Sequence, residues 1–208
     1  MYVSKLNAQQ DLASIKQYVE ENGFATIISL SGYKPIATHV PLILTEEDGK
    51  SYFTGHISIA NEQSQAIKNK ESVLAIFMEK HTYISSSWYD HVNVPTWNYI
   101  AVHVYGTFEE LSEEEKLSSL NQMVSKYEKY SDKPFSIAQM PEKMKHMDLK
   151  GITAFKITID KIEASWKLSQ NRDDKNYHLI IEQLLKRGDA MSLGIAEEMK
   201  NARKITTP

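Results

Sequence analysis

Between residues 24 and 56 the chain places three strand-like runs in quick succession, 24–30, 36–44 and 51–56. They are separated only by Ser31-Gly32 and by Glu46-Glu47-Asp48-Gly49. Runs joined by turns this short are antiparallel neighbours, so this stretch reads as a meander. Pro41 falls inside the second run, where it has no N–H to give to a ladder, and it marks an edge or a bulge. Further strands are expected at 73–78, 97–108 and 151–163. In the last of these Phe155, Ile157 and Ile159 alternate with Lys156, Thr158 and Asp160, the signature of a strand with one wet face. Six or more turn-linked strands, without alternation of β and α, predict a mainly β protein with added helices (α+β) built on an antiparallel barrel.

The helices have their own signals. Leu12, Ile15 and Val19 lie at helical spacing within 9–22, and Gly23 is the expected stop. A short polar helix is expected over 59–70. Ser112 and Glu115 form a capping box, opening a helix with Leu117, Leu120, Val124 and Tyr127 on one face. Pro134 and Pro141 interrupt this helical insertion, which covers 112–148. Asp174 is expected to cap an amphipathic helix through Tyr177, Ile180, Ile181, Leu184 and Leu185 to Gly188, within C-terminal helices at 174–204. The whole, 1–208, reads as a single domain.

Charge and composition narrow the function. The formal net charge is −3, without the basic excess of a protein that binds DNA mainly through phosphates. Lys186, Arg187, Lys200, Arg203 and Lys204 form a local basic stretch, but Asp189, Glu197 and Glu198 are interspersed, and it reads as a solvated helix face. The absence of cysteine removes disulfides, thiolate metal sites and Cys nucleophiles, and fits a reducing cytoplasm. No apolar run approaches a membrane span, so a cytoplasmic protein without membrane contact is expected. There is neither a GxGxxG nor a GxxxxGK[ST] glycine motif, and the seven histidines show no HExxH pairing, so no metal is assigned. No carboxylate pair or Ser/His/Asp order marks a catalytic residue, and catalysis stays unassigned.

Two segments remain. Residues 83–106 set Trp88, Tyr89 and Trp97 around a run of turn formers, including Ser85, Ser86, Ser87, Asp90, Asn93, Pro95 and Thr96. Rings of this kind fill cores, but on a loop they wall a surface site for a flat ligand. Residues 167–172, Lys-Leu-Ser-Gln-Asn-Arg, offer two cations and three neutral hydrogen-bonding side chains in a terminal loop, or alternatively a solvated turn before a helix.

The segments GHISIANEQ (55–63), YISSSWY (83–89), VPTWNYIAVHVYG (94–106) and KLSQNR (167–172) resemble, in order, the signatures of the PaiB family. These are small bacterial proteins grouped with FMN-binding split-barrel proteins and labelled negative transcriptional regulators. Two departures touch local backbone: Ser86 stands where the family commonly has Pro, and Ala164-Ser165 where it often has a Gly. The resemblance implies an antiparallel split β-barrel of the FMN-binding type, a homodimer with flavin sites at the subunit interface, and a role as a transcriptional regulator or flavin redox sensor. Direct DNA binding rests on the family label alone. Haem binding or degradation, or an FMN-dependent oxidoreductase, is the alternative on the same scaffold. FMN needs a cation for its phosphate, hydroxyl donors for its ribityl chain and rings for its isoalloxazine. Lys167 and Arg172 are candidates for the first, with Ser169, Gln170 and Asn171 beside them. Ser85, Ser87 and Thr96 suit the second, and Trp88, Tyr89 and Trp97 the third. Gly55, His56 and Asn61 would add donors near an anion, or form an ordinary strand-to-helix connection.

Overall fold

A computed structural model describes residues 1–205. The elements run β1 (Ala8–Gln9), α1 (Leu12–Glu21), β2 (Phe24–Ser31), β3 (Lys34–Pro41), β4 (Ile43–Glu47), β5 (Lys50–Ser58), α2 (Gln63–Lys68), β6 (Ser72–Phe77) and β7 (His81–Ile84). There follow β8 (Thr96–Glu110), α3 (Glu113–Glu128), α4 (Glu142–Lys150), β9 (Ile152–Lys167), α5 (Asp174–Arg187) and α6 (Ala190–Arg203). The mainly antiparallel, helix-decorated fold is the one expected from the strand pattern. The chain divides into two compact units, one of residues 16–77 and 104–162, the other of 1–15, 78–103 and 163 onward.

In the larger unit the hydrogen-bonded order is β3-β2-β6-β8-β9-β5-β4. The β4–β5 hairpin closes through Asp48 (φ 50) and Gly49 (φ 75), both left-handed as a two-residue primed turn requires. The expected run 36–44 is two strands, because Leu42 leaves the ladder to donate its N–H to the Gly23 carbonyl at 2.8 Å, next to the proline that signalled a break. Helix α1 ends at Glu21, and Gly23 is not in the left-handed region that would make it a cap. It is small for another reason: a Cβ there would lie 3.0 Å from the Leu42 carbonyl oxygen. Phe53 packs at a tilt against Phe77 and Phe108 meets Phe155 edge-on, each pair 5.1 Å apart, in a core shared with Ile27 and Ile157. Ser112 and Glu115 make the predicted capping box of α3.

In the smaller unit β7 pairs with the first residues of β8, from His81 opposite Tyr99 to Ile84 opposite Thr96, and β1 pairs with the end of β9, Ala8 opposite Ser165. Helices α5 and α6 pack together over Tyr177, Ile180, Leu184, Ile195 and Met199. Asp173, one residue ahead of the expected Asp174, caps α5 by accepting from the Asn176 N–H at 2.9 Å. Gly188 ends the helix at φ 75. Among the described residues no helix is long and apolar enough to cross a membrane.

Candidate functional site

A cleft of about 250 Å3 lies in the smaller unit. One side is Val94, Pro95, Thr96 and Asn98 at the start of β8; the other is Lys167, Ser169, Gln170, Asn171 and Arg172 after β9. Leu6 and Asn7 complete it. Side chains alternate across a strand, so Thr96 and Asn98 share the face toward the cleft while Trp97 points away.

The turn after β9 is held by its own polar groups. Gln170 accepts from the Leu168 N–H at 2.7 Å and donates to the Trp166 carbonyl, and the Arg172 N–H donates to the Ser169 carbonyl at 3.0 Å. Ser169 adopts φ 61, a left-handed conformation that costs an L-residue roughly 1–2 kcal/mol. Its buried hydroxyl offsets this by donating to Asn98 Oδ1 at 3.0 Å. From α6, Arg203 donates to the Gln170 carbonyl at 3.3 Å and the Arg172 carbonyl at 2.5 Å, pairs with Asp174 at 2.6 Å, and lies 3.7 Å over the Tyr177 ring. Non-glycine strain supported from several sides marks a turn kept for its geometry.

Lys167 donates to Thr96 Oγ1 at 2.8 Å, which sets its ammonium at the cleft with donors to spare. Arg172 stacks over the Tyr89 ring at 4.9 Å. Its Nε and the Tyr89 hydroxyl are both buried without a hydrogen-bond partner. Each such group costs about 1–3 kcal/mol until an acceptor meets it. The loop behind Tyr89 is anchored through Asp90, whose carboxylate receives Lys175 at 2.7 Å and Asn176 at 2.9 Å. Lys175, then His91 and Asn176, hold that carboxyl well below the usual range.

Of the residues picked out in the sequence, Thr96, Lys167, Ser169, Gln170, Asn171 and Arg172 all line this cleft, and Tyr89 adjoins it through Arg172. Ser85 and Ser87 bond each other at 2.8 Å, and Ser85 caps the short 3-10 turn Ser86–Trp88. Trp88 lies under Arg187 at 4.5 Å, and Arg187 donates to Thr82 Oγ1 and the Tyr83 carbonyl, each at 3.0 Å. Trp97, half-exposed, meets Tyr83 edge-on at 5.9 Å. Gly55, His56 and Asn61 belong to the larger unit. A Cβ on Gly55 would come 2.8 Å from Leu42 Cδ2, so its smallness serves packing. Burial pushes the His56 imidazole below its ordinary pKa. Asn61 accepts from the Gln63 N–H at 2.9 Å at the start of α2.

Sequence reasoning missed Leu6, Asn7, Val94, Pro95 and Asn98. Asn98 had a usable signal, since it stands two residues beyond Thr96 on one strand face. Leu6 and Asn7 had none, because only the tertiary fold brings them there. Among the described residues no group of three or more His, Asp or Glu is placed to hold a metal ion.

Residues 1–161 match a family profile described as "Putative FMN-binding domain". The chain is 41% identical over 204 residues to the "Protease synthase and sporulation protein PAI 2" of Bacillus subtilis (strain 168), covering 98% of this chain and 99% of that protein. Among solved structures it resembles the FAD and heme binding protein from Mycobacterium smegmatis (TM-score 0.60, 13% identity, 88% of this chain and 80% of that one). It also resembles the flavocytochrome Anf3 from Azotobacter vinelandii (TM-score 0.62, 15% identity, 85% and 78%). At these identities the structural likeness establishes the fold.

Proposed function

The chain belongs to this FMN-binding-domain family of PaiB type, and on that premise we propose that it holds FMN at the cleft of the smaller unit and serves as a flavin redox sensor or regulator. The carrying observation is the pair of buried donors without acceptors, Arg172 Nε and the Tyr89 hydroxyl, beside a lysine pre-positioned by Thr96. That donor set suits an anionic, oxygen-rich ligand such as a phosphate ester. The family profile ends at residue 161, so the part of the 167–172 turn rests on this geometry.

Lys167 and Arg172 would hold the phosphate, and Thr96, Ser169 and Asn171 the polar chain. Bound FMN would supply reversible electron transfer, and the protein's part is to orient it and keep its charged end out of water. The cleft is smaller than the roughly 300–1,000 Å3 of sites that enclose a whole ligand of this size. A second copy of the chain would complete the enclosure. In the smaller unit Leu6, Val92, Val94 and Trp97 are 54%, 102%, 69% and 52% exposed, apolar surface that an isologous dimer would cover. Regulation would then act through a protein partner, since the net charge is −3 and Arg203 of the basic C-terminal stretch is engaged within the fold.

The test is a visible spectrum and flavin-fluorescence titration of the purified protein with FMN, alongside its solution mass. Saturable quenching by a dimer supports the reading. A monomer that leaves FMN fluorescence unchanged, or a Soret band with hemin and no response to FMN, overturns it.

A further inference from the structure

The larger unit contains a second cavity, of about 360 Å3, where α3 lies over strands β4, β5 and β9. Its size is that of a small-molecule site, and its lining is mainly polar. The charged members are Glu46, Glu47, Glu115 and Lys156, three carboxylates against one ammonium. Their outside partners do not change the balance. Lys16 pairs with Glu46 and Glu109 with Lys156, leaving four carboxylates against two cations.

Two observations separate this cavity from an ordinary acidic surface. Thr54 lines it, is 5% exposed, and carries a buried hydroxyl that has no hydrogen-bond partner. That hydroxyl lies on the same face of β5 as Tyr52, whose phenol donates to Glu47 at 3.0 Å. The carboxylates also do not converge: among the described residues no cluster is arranged to hold a metal ion. Glu46 is kept below the usual carboxylate pKa by Lys16, and Glu115 by the Ser112 backbone N–H, so both stay ionised at neutral pH.

Two excess negative charges spread around a polar cavity suit a ligand whose positive charges are spread as well. We propose that the cavity under α3 binds a small organic diammonium compound, its ammonium groups meeting Glu47 and Glu115 and a polar atom meeting the Thr54 hydroxyl. The site uses no residue of the flavin cleft, and its occupancy is independent of FMN.

The experiment is isothermal titration of the full chain with 1,5-diaminopentane and, in parallel, with the neutral isostere 1,5-pentanediol. The diamine binds saturably and the diol does not. Glu115→Gln keeps the cap of α3, since Gln also serves at that position. It weakens the diamine about tenfold, the loss of one bond to a charged group. Thr54→Val also weakens binding while leaving the melting temperature unchanged or higher, because an unsatisfied buried group is removed. Equal binding of the diol, no saturable heat with the diamine, or unchanged affinity in both variants overturns the proposal. FMN titrations of the same variants match the wild type, which keeps this test separate from that of the flavin site.

Discussion

The Arg172 guanidinium lies 4.9 Å over the ring of Tyr89, and the Arg172 Nε and the Tyr89 hydroxyl are both shut away from water with no acceptor. A pair like this is stable only in company. Replacing Arg172 with Ala is expected to weaken FMN binding by about 1–3 kcal/mol. Arg172→Lys recovers only part of the loss, because an ammonium lacks the planar fork and the stacking. Flavin-fluorescence titration measures both, and equal affinity in wild type and Arg172→Ala would remove Arg172 from the site.

Arg203 acts on the same turn from a distance. Arg203→Ala removes its bonds to the Gln170 and Arg172 carbonyls and its stacking on Tyr177. Faster amide exchange over 168–172 is expected, with a fall in FMN affinity smaller than that of Arg172→Ala. Exchange unchanged across that turn would show the tether to be idle.

Gly106 separates backbone fit from ligand binding. A Cβ there would sit 2.3 Å from the Thr158 carbonyl oxygen of the neighbouring strand, a backbone atom that cannot swing aside. Gly106→Ala should therefore destabilise the fold by several kcal/mol, on the order of the largest overpacking effects. Gly55→Ala, whose nearest neighbour is the movable Leu42 side chain, should cost less. Thermal unfolding of the two variants ranks them, and the reverse order would refute the packing argument.

Stability should also depend on pH through the histidines. Burial lowers the pKa of His56, and of His103 as well, in the folded protein. The unfolded chain then takes up these protons first, so the contribution is intact above the ordinary value of about 6.5 and declines as pH falls below it. Unfolding midpoints should be level from pH 8 to 7 and drop below, with a shallower drop in His56→Gln. A variant with an unchanged slope would clear His56 of any part.

Much of the fold was legible in the residues. Short turns fixed the antiparallel neighbours, Pro41 flagged the break at Leu42, and Ser112 with Glu115 located α3, since each is a local effect with a local signature. Asp174 was the expected cap of α5, and the bond from the Asn176 N–H gives that role to Asp173, one residue earlier, a choice that only the folded turn makes. The candidate cleft was half legible. The KLSQNR turn carries its chemistry in one stretch, and the structure gathers Thr96 beside it. Trp88 could not be placed from sequence, because the Arg187 that covers its face comes about a hundred residues later. Trp97 was separable from Thr96 by the two-residue period of a strand, a rule that outranks the attraction of an aromatic cluster.

The bonds from Arg203 place the security of the 168–172 turn in the final turn of the last described helix. A protease nick or a bulky fusion at that end would therefore work as a remote release, loosening the turn proposed to grip the flavin while leaving the side chains of that turn in place.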